Sequence, residues 1–225
     1  MNIAEGLAQV RARIARSAIQ CGRRPEDIRL VAVSKTQSPD AVREAYGAGQ
    51  RAFGENYAQE LVAKANALAD LPELHWHFIG HLQSNKAKAI AKHAHFVHTV
   101  DSADLARELG RRVAAEGRVV PVLIEVSVSG ELQKSGAEPK VLGEILEAAR
   151  AQAHLRVRGL MTVPPAGDAA KARRAFEALA ALRDAHGGAT QLPDLSMGMS
   201  GDLEIGIECG GTIVRVGTAI FGRRR

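Results

Sequence analysis

The sequence predicts a closed (β/α)8 barrel of TIM type with an extra N-terminal helix, and three observations carry that prediction. Short apolar runs rich in Val and Ile alternate with longer stretches of helical periodicity, always strand first and helix second. Eight such runs occur, at 30–35, 51–54, 75–80, 96–101, 119–128, 155–163, 195–200 and 212–221. From within the first run onward the sequence reads VAVSKTQSPD, with no glycine-rich fingerprint of an open dinucleotide-binding sheet after the strand. Strict alternation makes each helix a crossover that returns the chain in the same direction, so the strands are parallel. Eight units exceed what an open doubly wound sheet usually carries and favour closure.

The remaining elements follow in order. An amphipathic helix opens the chain, and helical stretches begin near Pro39, Tyr57, Ser84, Ser102, Glu138 and Asp168, with a short last one within 201–209. Ser38 before Pro39, Ser102 before Ala103 and Asp168 before an Ala-rich run each offer an oxygen to cap a helix start. A chain of 225 residues that is 46% hydrophobic can bury a full core. No linker, low-complexity stretch or short repeat divides it, so residues 1–225 are expected to form a single domain.

Composition removes several function classes. The net charge is +5, but 30 basic residues are mixed with 25 acidic ones along nearly the whole chain, which argues against a nucleic-acid surface. The dense run Arg223, Arg224, Arg225 reads as a solvated tail, and 4% aromatics leave little material for stacking bases. Cys21 and Cys209 match no metal or redox spacing, and no segment has the character of a signal peptide or a membrane span. A cytoplasmic protein without nucleic-acid or membrane partners is expected.

In a parallel barrel the reactive face lies at the carboxyl ends of the strands. Those ends supply Lys35, then Glu55 and Asn56, then Gly80, His81 and Gln83, then Ser196, Met199 and Ser200, and finally Arg215, Gly217 and Thr218. Alternation puts Val31, Val33 and Lys35 on one face of the first strand. If that face is the interior, an amine emerges at the mouth of an apolar cylinder, where desolvation makes it a better nucleophile toward a carbonyl. The plain alternative is a lysine that curls out to solvent. Ser200 and Gly201, read as opening the last short helix, and the Gly217–Thr218 loop would both present backbone N–H groups to a phosphate, although glycines there could equally serve tight turns. Arg215 shares a face with Ile213 and Gly217 and so points inward. It then needs a partner, either a structural salt bridge to Glu125 or an acceptor atom on a ligand. His75, His77 and His81 could suggest a metal, but no cysteine cluster or repeated carboxylate completes a site and none is expected. His93, His95 and His98 read as capping or flanking a helix end. No nucleophile elbow or Ser-His-Asp arrangement appears.

The stretches VAVSKT, FGEN, HWHFIGHLQSNK, the KSG of LQKSG, GLMTV, LSMGMSGD and VRVGTAIFG span nearly the whole chain in order. Through them the sequence resembles the pyridoxal phosphate homeostasis proteins, a YggS-type family of PLP-binding barrels. The resemblance implies a fold like the N-terminal domain of alanine racemase and pyridoxal 5′-phosphate as cofactor, held by Lys35 through a reversible Schiff base. It also implies that Ser200, Gly217 and Thr218 hold the phosphate, that Arg215 faces the pyridine nitrogen, that Asn56 lies beside the ring and that Met199 and His81 line the wall. Ser127 stands where the family pattern suggests asparagine, and Gly206 where it suggests alanine; the second is expected only to loosen the short helix. An arginine opposite the ring nitrogen leaves the ring a poor electron sink, and the chain ends directly after the last strand, where racemases go on to a second domain. The expectation is therefore a monomeric, non-catalytic carrier in intracellular homeostasis of the cofactor, one that stores, buffers or delivers it with transient contact to apoenzymes. The alternative is a fold type III enzyme, an amino-acid racemase or decarboxylase.

Overall fold

All eight predicted strands form, and they close on themselves in sequence order. The computed structural model describes residues 2–128, 135–165 and 167–222, so Lys134 of the LQKSG stretch and the run Arg223, Arg224, Arg225 lie outside the described residues. The strands are β1 Arg29–Val33, β2 Ala52–Glu55, β3 His75–Phe78, β4 Phe96–Val100, β5 Val120–Glu125, β6 Leu155–Met161, β7 Asp194–Ser196 and β8 Ile213–Val216. Every neighbouring pair is parallel, and β8 pairs with β1 through Arg29↔Ile213, Leu30↔Val214, Val31↔Arg215 and Ala32↔Val216.

Around the barrel lie α1 Ile3–Gln20, α2 Pro39–Gly47, α3 Ala58–Ala67, α4 Ala87–His93, α5 Ala103–Ala115, α6 Leu142–Arg150, α7 Ala169–Ala185, α8 Gly188–Gln191, α9 Leu203–Glu208 and α10 Thr218–Phe221. The three capping residues act as expected: the side chains of Ser38, Ser102 and Asp168 accept from the backbone N–H groups of Ala41, Leu105 and Lys171. Several boundaries move, two of them at the mouth. The last predicted strand runs through to 221, yet residues from Thr218 onward form α10, because the chain turns at Gly217 to pack back on α1. The short helix α9 starts at Leu203, so Ser200 and Gly201 sit in the turn before it and not in its first turn. Among the described residues no helix is long and apolar enough to cross a membrane.

Most of the apolar core lies between strands and helices, where Phe53, Trp76, Phe78, Leu109 and Phe176 are buried. A smaller cluster of Val31, Ala52, Phe96, Leu123, Met161 and Ile213 fills the barrel interior. Strands β3 and β7 contribute no apolar residue to that inner cluster. Their inward residues, His77 and Ser196, are polar and buried, so the expectation of a purely apolar cylinder is corrected.

One glycine sets how closely two strands approach. A Cβ built on Gly159 in β6, where φ is +157°, would lie 1.7 Å from the carbonyl oxygen of Asp194 in β7. We expect Gly159→Ala to break the β6–β7 ladder, with a loss above ~3 kcal/mol in urea unfolding or no soluble protein. A variant within ~1 kcal/mol of the parent would show that this contact has slack.

Candidate functional site

Lys35 stands two residues past the end of β1, half-buried, in a small recess it shares with Val33, Gln37, Gly217, Thr218 and Phe221. The strand that leads to it has the predicted face inward. Val31 belongs to the inner cluster, Val31 pairs with Arg215, and a Cβ on Gly217 would lie 3.2 Å from the Val33 carbonyl oxygen. The lysine therefore continues the inward row of β1 toward the mouth, beside the loop that follows β8.

The backbone around Lys35 is clamped from α3. Lys64, buried on that helix, places Nζ 2.7 Å from the Ser34 carbonyl oxygen, 2.7 Å from Glu55 Oε1 and 3.1 Å from Glu60 Oε2. The Ser34 hydroxyl donates to the same Glu55 oxygen at 2.7 Å, and the Thr36 N–H donates to Glu60 Oε2 at 2.8 Å. Burial pushes the Glu55 carboxyl up, against the pull of Lys64 and Ser34. Thr36 has φ of +64°, a conformation that costs a β-branched residue about 1–3 kcal/mol. The clamp holds it there, so the residues on both sides of Lys35 are fixed by hydrogen bonds. Lys64 and Glu60 were missed by sequence reasoning, because their spacing looks like an ordinary i, i+4 pair on a helix surface.

Opposite Lys35, two loops come together. Ser200 and Thr218 hydroxyls are 3.1 Å apart, which joins the loop after β7 to the start of α10. Among the described residues the N–H groups of Ser200, Gly201, Thr218 and Ala219 have no backbone acceptor. The first loop is stiffened by the Met199 N–H donating to Asp202 Oδ1 at 2.6 Å. It is also braced from α1: Arg13 makes two bonds to the Glu204 carboxylate, at 2.7 and 2.9 Å, and one to the Ser200 carbonyl oxygen at 3.1 Å. Gly206 does more than loosen α9. A Cβ there would lie 2.9 Å from the Met197 carbonyl oxygen, so the glycine lets α9 seat against the backbone just before this loop.

Arg215 points inward and is buried, as its register predicts. Its partners are the Ser196 hydroxyl at 2.5 Å and the Thr162 carbonyl oxygen at 2.9 Å; no ion pair to Glu125 forms, which corrects the conservative expectation. Desolvation pulls the guanidinium down to about 10, so it stays cationic at neutral pH. Glu125 also faces the interior, accepts from Ser135 Oγ at 2.7 Å, and is pushed up by burial. Among the described residues its Oε2 and the Oδ1 of Asn56 are buried acceptors at strand ends with no partner. Met199 is half-buried within the loop after β7. His81 is exposed past β3, with Nδ1 3.5 Å from Asp101 Oδ2.

His98 corrects another expectation. It lies in β4 and faces the interior, not a helix end; only His93 ends a helix, while His95 sits between α4 and β4. His98 Nδ1 is 2.9 Å from Ser196 Oγ, and His98 Nε2 is 2.9 Å from His77 Nδ1. The two-residue step from Phe96 to His98 was the available signal; it does not run on to Val100, which joins the outer core past a register shift in β4. Among the described residues, no three His, Cys, Asp or Glu side chains group as a metal site.

The fold and this mouth define a barrel of the alanine racemase N-terminal type, and residues 7–225 match the family described as "Alanine racemase, N-terminal domain". An alanine racemase of Streptomyces coelicolor superposes with a TM-score of 0.71 at 22% identity, covering 99% of this chain and 59% of that one, which shows the fold alone. The pyridoxal phosphate homeostasis protein of Pseudomonas aeruginosa is 48% identical over 99% of this chain and 96% of its own length. PipY of Synechococcus elongatus, solved with PLP bound, is 39% identical with a TM-score of 0.84, covering 98% of this chain and all, 100%, of that one. The chain belongs to the pyridoxal phosphate homeostasis protein family.

Two expected outcomes test this geometry. Desolvation pulls His77 down to about 3 and His98 well below the usual imidazole range. The unfolded chain thus binds their protons first as pH falls below about 6.5, so their contribution is complete above that pH and is lost on acidification. Each histidine adds a slope of ~1.4 kcal/mol per pH unit there. Urea unfolding of His98→Gln from pH 7.5 to 5 should show a shallower decline than the parent, and an equal decline would mean the imidazole is not buried neutral. Arg13→Ala should cost only ~1 kcal/mol of stability, yet raise backbone hydrogen exchange at 199–202 at least tenfold; unchanged exchange would remove the brace.

Proposed function

We propose that the chain holds pyridoxal 5′-phosphate at the carboxyl end of the barrel, attached through Lys35, and serves intracellular homeostasis of this cofactor by storing, buffering or delivering it. The observation that carries this reading is the recess shared by Lys35, Gly217 and Thr218, with Arg215 on the inward row beneath it. An amine held by clamped backbone faces a cradle of unbonded N–H groups and two hydroxyls, a donor set suited to a phosphate dianion. The buried orphan acceptor of Asn56 fits a polar ring substituent. When bound, the cofactor supplies an aldehyde that condenses with an amine and a ring that can withdraw electrons.

Within this reading Ser200, Gly217 and Thr218 hold the phosphate, Asn56 lies beside the ring, and Met199 and His81 form the wall. Arg215 faces the pyridine nitrogen. A guanidinium only donates, and this one remains charged, so beside that nitrogen it would favour the unprotonated ring and weaken carbanion chemistry. Residues 1–225 act as one cofactor-binding domain, a carrier and not a racemase or decarboxylase. Delivery would bring the mouth into transient contact with apoenzymes. The names of the relatives and the PLP-bound state of PipY support the choice of cofactor.

Borohydride treatment of the purified, cofactor-loaded protein should fix one adduct to Lys35, and Lys35→Ala should abolish it. The same adduct in the variant would sink the assignment. Thr218→Val and Ser200→Ala should each weaken cofactor binding about tenfold by fluorescence titration, the worth of one hydrogen bond to a charged group. Loaded protein mixed with amino acids in deuterated water should show no rapid exchange of the α-hydrogen; exchange at hundreds of turnovers would make it an enzyme.

A further inference from the structure

A roomy cavity lies away from the mouth. It has a volume of about 840 Å3 and lies at the opposite end of the barrel, under α1, against the amino ends of β1 to β4. Its wall includes Arg29, His75, His77, His95 and Phe96, with Glu26 as its only acid. A second hollow of about 320 Å3 shares Arg29 and Phe96 and adds Arg156. Other arginines on this floor are engaged: Arg11 with Gln50 and a carbonyl, Arg51 with Glu73, Arg158 with Asp194. Among the described residues neither Arg29 nor Arg156 has an ion pair or side-chain hydrogen bond.

The interior hydrogen-bond chain fixes what the histidines present to this cavity. Arg215 can only donate to Ser196 Oγ. Among the described residues the buried Ser196 hydroxyl has one other hydrogen-bond partner, His98 Nδ1, and must donate to it, since a buried hydroxyl hydrogen with no acceptor costs roughly 1–3 kcal/mol. With Nδ1 accepting, neutral His98 carries its proton on Nε2 and donates to His77 Nδ1. His77 in turn carries its proton on Nε2, the ring atom left for the cavity wall. His77 is only 4% exposed and has no partner for that N–H among the described residues. On the same wall His95 Nδ1 accepts from the Trp76 N–H at 3.0 Å, so its proton is also on Nε2.

We propose that the floor of the barrel is a second binding site, which takes a small phosphate monoester between the Arg29 and Arg156 guanidiniums and the Nε2–H groups of His77 and His95. The site offers donors and positive charge with almost no acceptor, and a phosphate supplies several acceptor oxygens that suit the guanidinium fork. It is separate from the mouth, and the Arg215–Ser196–His98–His77 chain runs between them. An anion on His77 Nε2 would polarise each donor along that chain up to Arg215.

The test uses 15N-histidine-labelled, cofactor-loaded protein titrated with phenyl phosphate and followed by long-range 1H–15N spectra. Before addition, His77 and His95 should both show the Nε2–H tautomer; Nδ1–H at His77 would overturn the proposal. Addition should move both Nε2 resonances saturably. The double variant R29A/R156A should weaken that response at least tenfold while keeping the borohydride adduct at Lys35. In Lys35→Ala the floor response should persist within about twofold, so a wrong cofactor assignment would not disturb it. No movement at His77 and His95, a response indifferent to R29A/R156A, or one lost with Lys35→Ala would each refute the floor site.

Discussion

Arg215 is a buried cation that forms no ion pair among the described residues, and this constraint organises the barrel interior. A guanidinium cannot shed its charge as a buried lysine can, so its donors must be met by neutral acceptors. Thr162 gives a carbonyl oxygen and Ser196 a hydroxyl, and because the arginine only donates, the hydroxyl must pass its own hydrogen onward. The direction of every bond in the chain to His77 follows from that one fact. The inner layer is therefore part polar, and its two imidazoles are held neutral chiefly by the desolvation that burial imposes, with neighbouring positive charge adding to it.

The mouth is built on the opposite principle. Its functional groups sit on short loops, and each loop is tied to a helix remote in sequence. Lys64 and Glu60 on α3 hold the backbone on either side of Lys35, and Arg13 on α1 holds the loop that carries Ser200. A loop alone would pay ordering entropy each time a ligand bound. Fixed beforehand, an amine and a ring of N–H groups keep their separation with or without a ligand between them. The leading helix, which has no strand of its own, thus serves the site as well as the core.

These braces explain the division between what was legible and what was not. The alternation of strands and helices is a local signal, repeated eight times, and the order of the barrel follows from it. The faces of Lys35 and Arg215 were legible because alternation in β1 and β8 is strict. His98 was misread through its neighbours His93 and His95, although the pattern beginning at Phe96 already placed it inside. Residues 218–221 looked like strand by composition but coil into α10, because packing against α1 outweighs β propensity there.

The sequence by itself determined the parallel closed barrel, the inward row ending in Lys35, and the family, because each rests on periodicity or motifs within short windows. Only the tertiary structure decided that Lys64 and Arg13 serve the mouth, that Glu125 leaves Arg215 to Ser196 and Thr162, and that a roomy cavity lies beneath the barrel floor. Those are meetings of side chains tens to nearly two hundred residues apart, and contacts at that range leave no spacing in the sequence from which to read them.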